Sequence, residues 1–407
     1  MKLQRAAVIT LAVALPLAGG LTACSNSSGG SSGNASSSVS SLTLWDGWTQ
    51  YDATSPWGTL IAACEKQTGI TIQRTSDAEI ATKLLQAASS HSAPDLAILD
   101  NPSVAQFAET GLLIDNSVSG LDTSAVMPNV LAAGQVGGKT YGSSMGANTL
   151  ALFYNTGMFT AAGLTPPTTW AELESDAAAL SKGDVKGIGF SALGTEEGTF
   201  QFLPFFWGAG AKLKDIASPE AVKALQFWTD LVSKGYASQS NLNANQQDIR
   251  DQFMAGKLGM MVNGTWQLTT LDGAGTPYAV VPIPGVDGGT APSPLGGEFI
   301  QVVKSDAGHQ AAAAKFAQCV IKPENLKGWT DGQSYIMPYA SAAADQATAK
   351  PALKPWVTAV SSAQGRTADL GSAYPNTSKA LWTAIQESLS GVKQPKPALD
   401  AAAASLS

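Results

Sequence analysis

Short runs of period two, or of unbroken apolar character, alternate along the chain with longer stretches whose apolar residues recur every three to four positions. Residues 42–45 (LTLW), 70–73 (ITIQ), 96–99 (LAIL) and 149–154 (TLALFY) read as strands, the third apolar throughout as in a strand buried on both faces. Residues 57–68, 79–90 and 104–110 read as helices, the first stopped by Gly69 and the third by Gly111. This alternation predicts an α/β lobe with a mostly parallel sheet. It continues with a helix over 171–181 behind an N-cap at Thr169, a strand over 188–191 and an aromatic-rich helix over 199–207 (TFQFLPFFW). Ser218 as N-cap and Pro219 at N1 open a helix to residue 234, and another helix follows over 248–255. Strands at 258–263, 278–283 and 299–303, a helix over 311–321 and a helical end from 377, broken at Gly391, complete the pattern. No linker interrupts it, and the body is larger than one comfortable core. Two α/β lobes joined by several chain crossings fit, with a cleft between them.

The first 41 residues obey neither period. Lys2 and Arg5 precede an apolar run over 6–17, too short to span a bilayer, which takes about 20 residues. Small residues follow, and the segment reads as a signal peptide over 1–23. Its end, Leu21-Thr22-Ala23-Cys24, resembles the bacterial lipobox, which implies palmitate-type lipidation of Cys24 and attachment to the outer face of the cell membrane. Residues 24–41 are then a flexible Ser/Gly tether. Gly29 to Gly33 matches the G-x-S-x-G elbow in form only, because that elbow needs a strand before it and a helix after it.

Composition narrows the chemistry. Lys+Arg 24 against Asp+Glu 31 gives a formal net charge of −7, which lacks the basic footprint of a nucleic-acid binder. Three Cys and two His leave little material for a metal site, and neither metal nor cofactor is expected. His91, in a Ser-rich loop, and His309, ahead of a helix, read as solvated. Ten Trp are unusual beside eight Tyr.

Six stretches in order resemble one family, the solute-binding proteins of ABC importers, specifically the maltose-binding-like sugar-binding group. They are Ala93 to Asp100 (APDLAILD), Phe153 to Phe159 (FYNTGMF), and Ala162-Gly163-Leu164 with Thr169 to Leu173 (TWAEL). Phe253 to Met260 with Asn263-Gly264-Thr265-Trp266, Ala312 to Phe316 with Pro323-Glu324, and Tyr374 to Leu399 complete the set. The resemblance implies a two-lobed, type II periplasmic-binding-protein-like α/β fold with a multi-crossing hinge. One lobe would hold 42–147 plus 276–327, the other 148–275 plus 328–407. It implies a monomer that carries a small carbohydrate to the transmembrane subunits of an ABC permease, touching the membrane through its lipid only, as in Gram-positive bacteria.

A sugar presents apolar C–H faces and a ring of hydroxyls, so its binder needs aromatic platforms beside carboxylates and amides. By position in the motifs, the resemblance implies stacking by Trp266 and Trp382 and hydrogen bonding by Asn148 and Glu197. Thr199 stands where the maltose binder has a Tyr, with Phe200 next to it. Trp45, Asp46 and Trp48 follow the first strand in a loop the family uses, Asp100 ends a strand, and Gly297 and Glu298 lie in a Gly-rich approach. Tyr335 sits one residue off the family's spacing to Pro338. Arg366 stands where anion-binding relatives keep an Arg, which leaves a polyol phosphate such as glycerol 3-phosphate as the alternative ligand. Trp207 has both a ligand and a core reading, and Trp170 reads as core. An exported glycosidase would need paired carboxylates across a bond, whereas Glu196 and Glu197 are adjacent and should point apart. With Cys24 lipidated, Cys64 and Cys319 remain; the implied topology puts both in the N-terminal lobe, as a disulfide or as two buried thiols.

Overall fold

The computed structural model describes residues 39–90 and 92–406. The signal peptide, Cys24, the tether up to residue 38 and His91 lie outside the described residues. In chain order, β1 (Ser41–Asp46), α1 (Pro56–Thr68), β2 (Thr71–Ser76), α2 (Ile80–Ser90), β3 (Leu96–Asp100) and α3 (Asn101–Glu109) open the fold. Short helices α4 (Asn116–Ser119) and α5 (Pro128–Ala132) and the hairpin β4 (Gln135–Val136) and β5 (Lys139–Thr140) lead to β6 (Ser143–Ser144). The chain then crosses to β7 (Leu150–Asn155), α6 (Thr156–Ala162), α7 (Trp170–Leu180), β8 (Lys186–Gly189), α8 (Glu196–Gly208) and α9 (Pro219–Ser233). There follow α10 (Gln246–Met254), β9 (Leu258–Gly264), α11 (Leu268–Ala274) and β10 (Tyr278–Val281). It returns for β11 (Glu298–Val302), α12 (Ala307–Ile321) and α13 (Pro323–Gln333), and crosses again to α14 (Ala340–Ala349), α15 (Lys354–Ser361), α16 (Tyr374–Leu389) and α17 (Pro395–Ala404).

The helix ends follow local chemistry. Ser55 caps α1 by accepting from the Gly58 N–H, and Gly69 closes it in the left-handed region at φ 72°. Thr169 and Glu172 form a reciprocal capping box on α7.

Two sheets organise two lobes, one in the order β2-β1-β3-β11-β6 and the other β10-β7-β9-β8. The first is mostly parallel, as expected, with one reversed strand: β2, β1, β3 and β6 run in one direction, and β11 lies antiparallel between β3 and β6. The reason is that β11 arrives by a crossing from the other lobe, not through a βαβ unit. In the second sheet, period-two alternation divides the side chains. Leu150, Leu152, Met260 and Val262 face a core shared with α7, α8, α9, α16 and α17, while Ala151, Phe153 and Met261 join the core that extends from the first lobe.

Three expected boundaries move. Ser41 belongs to β1, not to the tether. A return to the first lobe at 276 comes one strand early, because β10 hydrogen-bonds to β7 over Tyr278–Asn155 to Val281–Leu152. A crossing at 328 falls inside α13, which packs on α1 and α12. The crossings lie side by side: Ala147 bridges to Ile336, Asn148 to Gly296, and Pro294 to Gln364. Gly297 makes this possible. Its φ is +117°, and a Cβ there would stand 2.2 Å from the Gly146 carbonyl oxygen. Cys64 of α1 and Cys319 of α12 are disulfide-bonded, with Cα atoms 5.7 Å apart and a sequence separation of 255. No helix among the described residues is long and apolar enough to cross a membrane.

Candidate functional site: the interlobe cleft

A cavity of about 620 Å³ lies between the lobes, over the crossings. Its first-lobe wall is the loop after β1, carrying Trp48 and Tyr51. Trp48 packs on Trp329 at 4.5 Å and edge-on to Trp57 at 5.5 Å between ring centroids, and the Tyr51 hydroxyl donates to Gln333 Oε1 at 2.6 Å. Asp46 holds this loop in place. Its carboxylate accepts from Arg74 Nε (2.5 Å) and Nη2 (2.8 Å), from Trp57 Nε1 (3.0 Å) and from the Trp48 backbone N–H (2.9 Å). Arg74 also donates to the Trp48 and Tyr51 carbonyls. Asp46 is therefore a fully buried anchor and not a ligand contact, contrary to the sequence expectation. Trp45, on the opposite face of β1, packs against the core and does not line the cavity. Trp207 is likewise corrected: it lies in the second-lobe core, because α8 is buried on every side through residues 198–207.

The second-lobe wall is built by the Asn-Gly-Thr-Trp turn after β9. Asn263 donates to the Gln246 carbonyl at 2.9 Å and accepts from Gln267 Nε2 at 3.1 Å, tying the strand end to α10. Gly264 gives clearance, since a Cβ there would stand 2.1 Å from the Trp266 ring. The ring thus lies against the strand end and lines the cavity, 6.2 Å from Phe200. At the position of the missing family Tyr, Thr199 is buried and donates to the Ser378 carbonyl at 3.0 Å, while the neighbouring Phe200 lines the cavity.

Between these walls the polar groups converge. Arg366, 2% exposed, donates through Nη1 to Glu196 at 2.7 Å and through Nη2 to Asp100 at 2.7 Å, and its guanidinium stands 4.8 Å over the Phe200 ring. Burial works against its charge, but the carboxylates of Asp100 and Glu196 outweigh burial and raise its pKa. Glu196 also accepts from the Tyr374 hydroxyl at 2.7 Å and from Ser378. Glu197 turns the other way and accepts the Gln246 backbone N–H at 2.6 Å. Burial raises the pKa of both. Arg250 is paired with Asp251 at 2.7 Å and Gln267 at 3.1 Å. Glu298 opens β11 directly opposite Asp100 on β3. Burial, then the Asp100 charge, pushes its carboxyl up to about 8, against a hydrogen bond from the Trp48 side chain and the charge of Arg366. Its Oε2 is buried without a hydrogen-bond partner. Burial holds the Tyr335 hydroxyl well above its ordinary range, although Asn148 hydrogen-bonds to it. Among the described residues no cluster of His, Cys, Asp or Glu could hold a metal ion.

Residues 59–355 match a family described as bacterial extracellular solute-binding protein. The chain belongs to this family. A maltotriose-binding protein of Pyrococcus abyssi (strain GE5 / Orsay) is 25% identical over 253 residues, 60% of this chain and 54% of that protein. The chain spans about half the length of the curated relatives it matches. Among solved structures, an ABC transporter solute-binding protein of Thermotoga lettingae, bound with α-D-tagatose, is 26% identical with a TM-score of 0.79, covering 90% of this chain and 98% of that one. The GacH receptor of Streptomyces glaucescens, solved unliganded and with acarbose, is 26% identical with a TM-score of 0.75, covering 89% and 96%. Both share the two-lobed α/β fold.

In this solute-binding protein the cleft brings together Trp48, Asp100, Asn148, Glu197, Trp266, Gly297, Glu298, Tyr335 and Arg366 from the sequence expectation. Trp382 stands apart, in a second cavity of about 590 Å³ that adjoins the first. Sequence reasoning missed Tyr51, Gln246, Arg250 and Gln333 as lining residues, and assigned Glu196 no role. Tyr51 follows Trp48 by three residues in a loop already singled out, which is the one signal that pointed to it.

Proposed function

We propose that this solute-binding protein captures an uncharged saccharide in the interlobe cleft and passes it to the transmembrane subunits of an ABC importer. The observation that carries the reading is the state of the two guanidinium groups lining the cavity. Arg366 and Arg250 are both already paired with carboxylates. What remains for a ligand is aromatic surface from Trp48, Tyr51, Phe200 and Trp266, with hydrogen-bonding groups from Asn148, Glu197, Gln246 and Gln333. Flat apolar faces beside uncharged and acceptor groups suit the C–H faces and hydroxyls of a sugar. A phosphate ester would meet Asp100, Glu196, Glu197 and Glu298 with no free cation among the lining residues, so the polyol-phosphate alternative is disfavoured. The names of the Pyrococcus, Thermotoga and Streptomyces relatives support a carbohydrate.

A glycosidase reading is disfavoured by the placement of the two adjacent carboxylates. Glu196 is held by Arg366, Tyr374 and Ser378, and Glu197 turns away from it to the start of α10. The protein is read as a monomeric binder, tethered by a lipid on Cys24 to the outer face of a Gram-positive membrane. Two acyl chains, at about 0.8 kcal/mol per buried CH₂, anchor stably. Cys24→Ala should release the protein from the membrane fraction with ligand affinity unchanged.

Thermal-shift titration with neutral mono- and oligosaccharides, glycerol 3-phosphate and polyamines tests the ligand class. A sugar at 100 times its dissociation constant adds about 2.7 kcal/mol to stability. A shift with glycerol 3-phosphate or a polyamine and none with any neutral sugar would replace this reading.

A further inference from the structure

The two cavities in the cleft, about 620 and 590 Å³, share four side chains: Trp48, Asp100, Glu196 and Glu298. Those four stand at the boundary between the two cavities. Asp100 ends β3 of the first lobe and Glu196 begins α8 of the second, and Arg366 joins them with two bonds of 2.7 Å. Arg366 is fixed from behind, because its segment is hydrogen-bonded to the crossing: the Leu295 N–H donates to the Gln364 carbonyl at 2.8 Å, and the Gln364 N–H to the Ser293 carbonyl at 2.9 Å. Its guanidinium rests on the Phe200 ring. Glu298 and Trp48, joined through the Trp48 side chain, stand on the first-lobe side of the same boundary.

We propose that the Asp100–Arg366–Glu196 bridge is a wall across the cleft that limits the length of the bound ligand, with Arg366 its specificity-determining residue. The proposal rests on the saccharide reading given above. Each compartment alone falls within the roughly 300–1,000 Å³ of small-molecule pockets, and the two joined exceed it. With the wall in place, the ligand occupies the Trp266 compartment alone. The second compartment, between α2, α3 and α16 and carrying Trp382 and Leu85, adds a further aromatic and apolar surface that a longer saccharide reaches only when the bridge is broken. An ion-paired bridge suits a wall better than an apolar side chain would: the Arg366 guanidinium is buried, the two carboxylates are part-exposed to the cleft, and the paired charges fix one geometry.

The test is a titration with linear α-glucans from the disaccharide to the hexasaccharide, on the full folded body, followed by calorimetry. In the native protein, affinity should level off at a short length. Arg366→Gln should tighten the longest glucans at least 10-fold relative to the native protein while changing the disaccharide much less. If Arg366→Gln does not fold, Glu196→Ala serves: it removes the second-lobe half of the wall and leaves Arg366 paired with Asp100. Ala81→Trp fills the second compartment from α2. It should leave the native length profile unchanged and abolish the gain in either wall variant, a result that a purely structural role of Arg366 would not give. A length profile that the wall variants leave unchanged, or a native protein whose affinity for long glucans falls with Ala81→Trp, would overturn the wall alone. Failure of every glucan and every other neutral saccharide, in native and variant proteins alike, would overturn the saccharide reading and the wall with it.

Discussion

Glu298→Gln should stabilise the protein in a pH-dependent way. Glu298 is held at about 8 against an ordinary 4.5, by burial and by Asp100 opposite it. The folded state therefore keeps a proton that the unfolded chain has lost. Stability falls as pH rises from about 4.5 to 8, the sign expected for an acid whose folded pKa is raised. Linkage with these two values gives a loss of about 3 kcal/mol between pH 6 and pH 9, and little change above that. Gln keeps the shape and removes the proton equilibrium. At about 2 cal/mol/K per residue of unfolding entropy, a body of this size shifts by a little over 1 °C per kcal/mol. The melting difference, variant minus native, should thus grow by about 3 °C from pH 6 to pH 9. Asp176, pushed up to about 6 by burial, titrates in both proteins and cancels in the difference. The assay is paired differential scanning fluorimetry across this range, in one buffer ionic strength. A difference that stays flat with pH would refute the claim that this carboxyl is neutral in the folded cleft.

Trp266→Ala should weaken saccharide binding by about 2 kcal/mol, roughly 30-fold, as for a buried aromatic anchor, and calorimetry on the folded variant measures it. Trp207→Leu should destabilise the protein by about 3 kcal/mol through the cavity it leaves, read as a lower urea midpoint, while affinity stays unchanged because the side chain lies in the second-lobe core. Asp46→Ala should cost about 3–5 kcal/mol, since it strands Arg74, and it should also weaken binding by loosening the Trp48 loop. Replacing Cys64 and Cys319 together with Ser should cost at most about 5 kcal/mol on the chain-entropy account for so long a loop, read as a lower urea midpoint with unchanged affinity.

Most elements were legible because their signals are local. The Gly69 cap, the Thr169–Glu172 capping box and the period-two run at Leu150–Asn155 each declare themselves within a few residues. What was not legible depends on distant partners. β11 pairs antiparallel with β3 about 200 residues earlier, so the one reversed strand of the sheet has no local sign. The α13 helix is polar apart from Leu326 and Trp329, and holds Gly328 and Gly332, so its period is faint. Asp46 shows the limit for the site. A carboxylate just past a strand looks the same in sequence whether it meets a ligand or Arg74, 28 positions on. The aromatic run of α8 is similar: with large aromatic residues at most positions round the helix, periodicity does not say that Phe200 faces the cleft and Trp207 the core. Trp266 was picked out by the resemblance, from its place after the Asn-Gly-Thr turn, and the structure supplies the physical reason for that turn in Asn263 and Gly264.

The central claim is that the cleft holds an uncharged saccharide between the lobes. The most direct measurement is intrinsic tryptophan fluorescence during titration of the native protein and of Trp266→Ala with neutral saccharides, glycerol 3-phosphate and a polyamine. Trp48 and Trp266 line opposite walls of the cavity, so occupancy changes the surroundings of both. The account predicts a saturable change with a neutral saccharide in the native protein, a roughly 30-fold weaker midpoint in the variant, and no response to the charged ligands. A saturable response to a charged ligand alone, or equal saccharide midpoints in the two proteins, would contradict it.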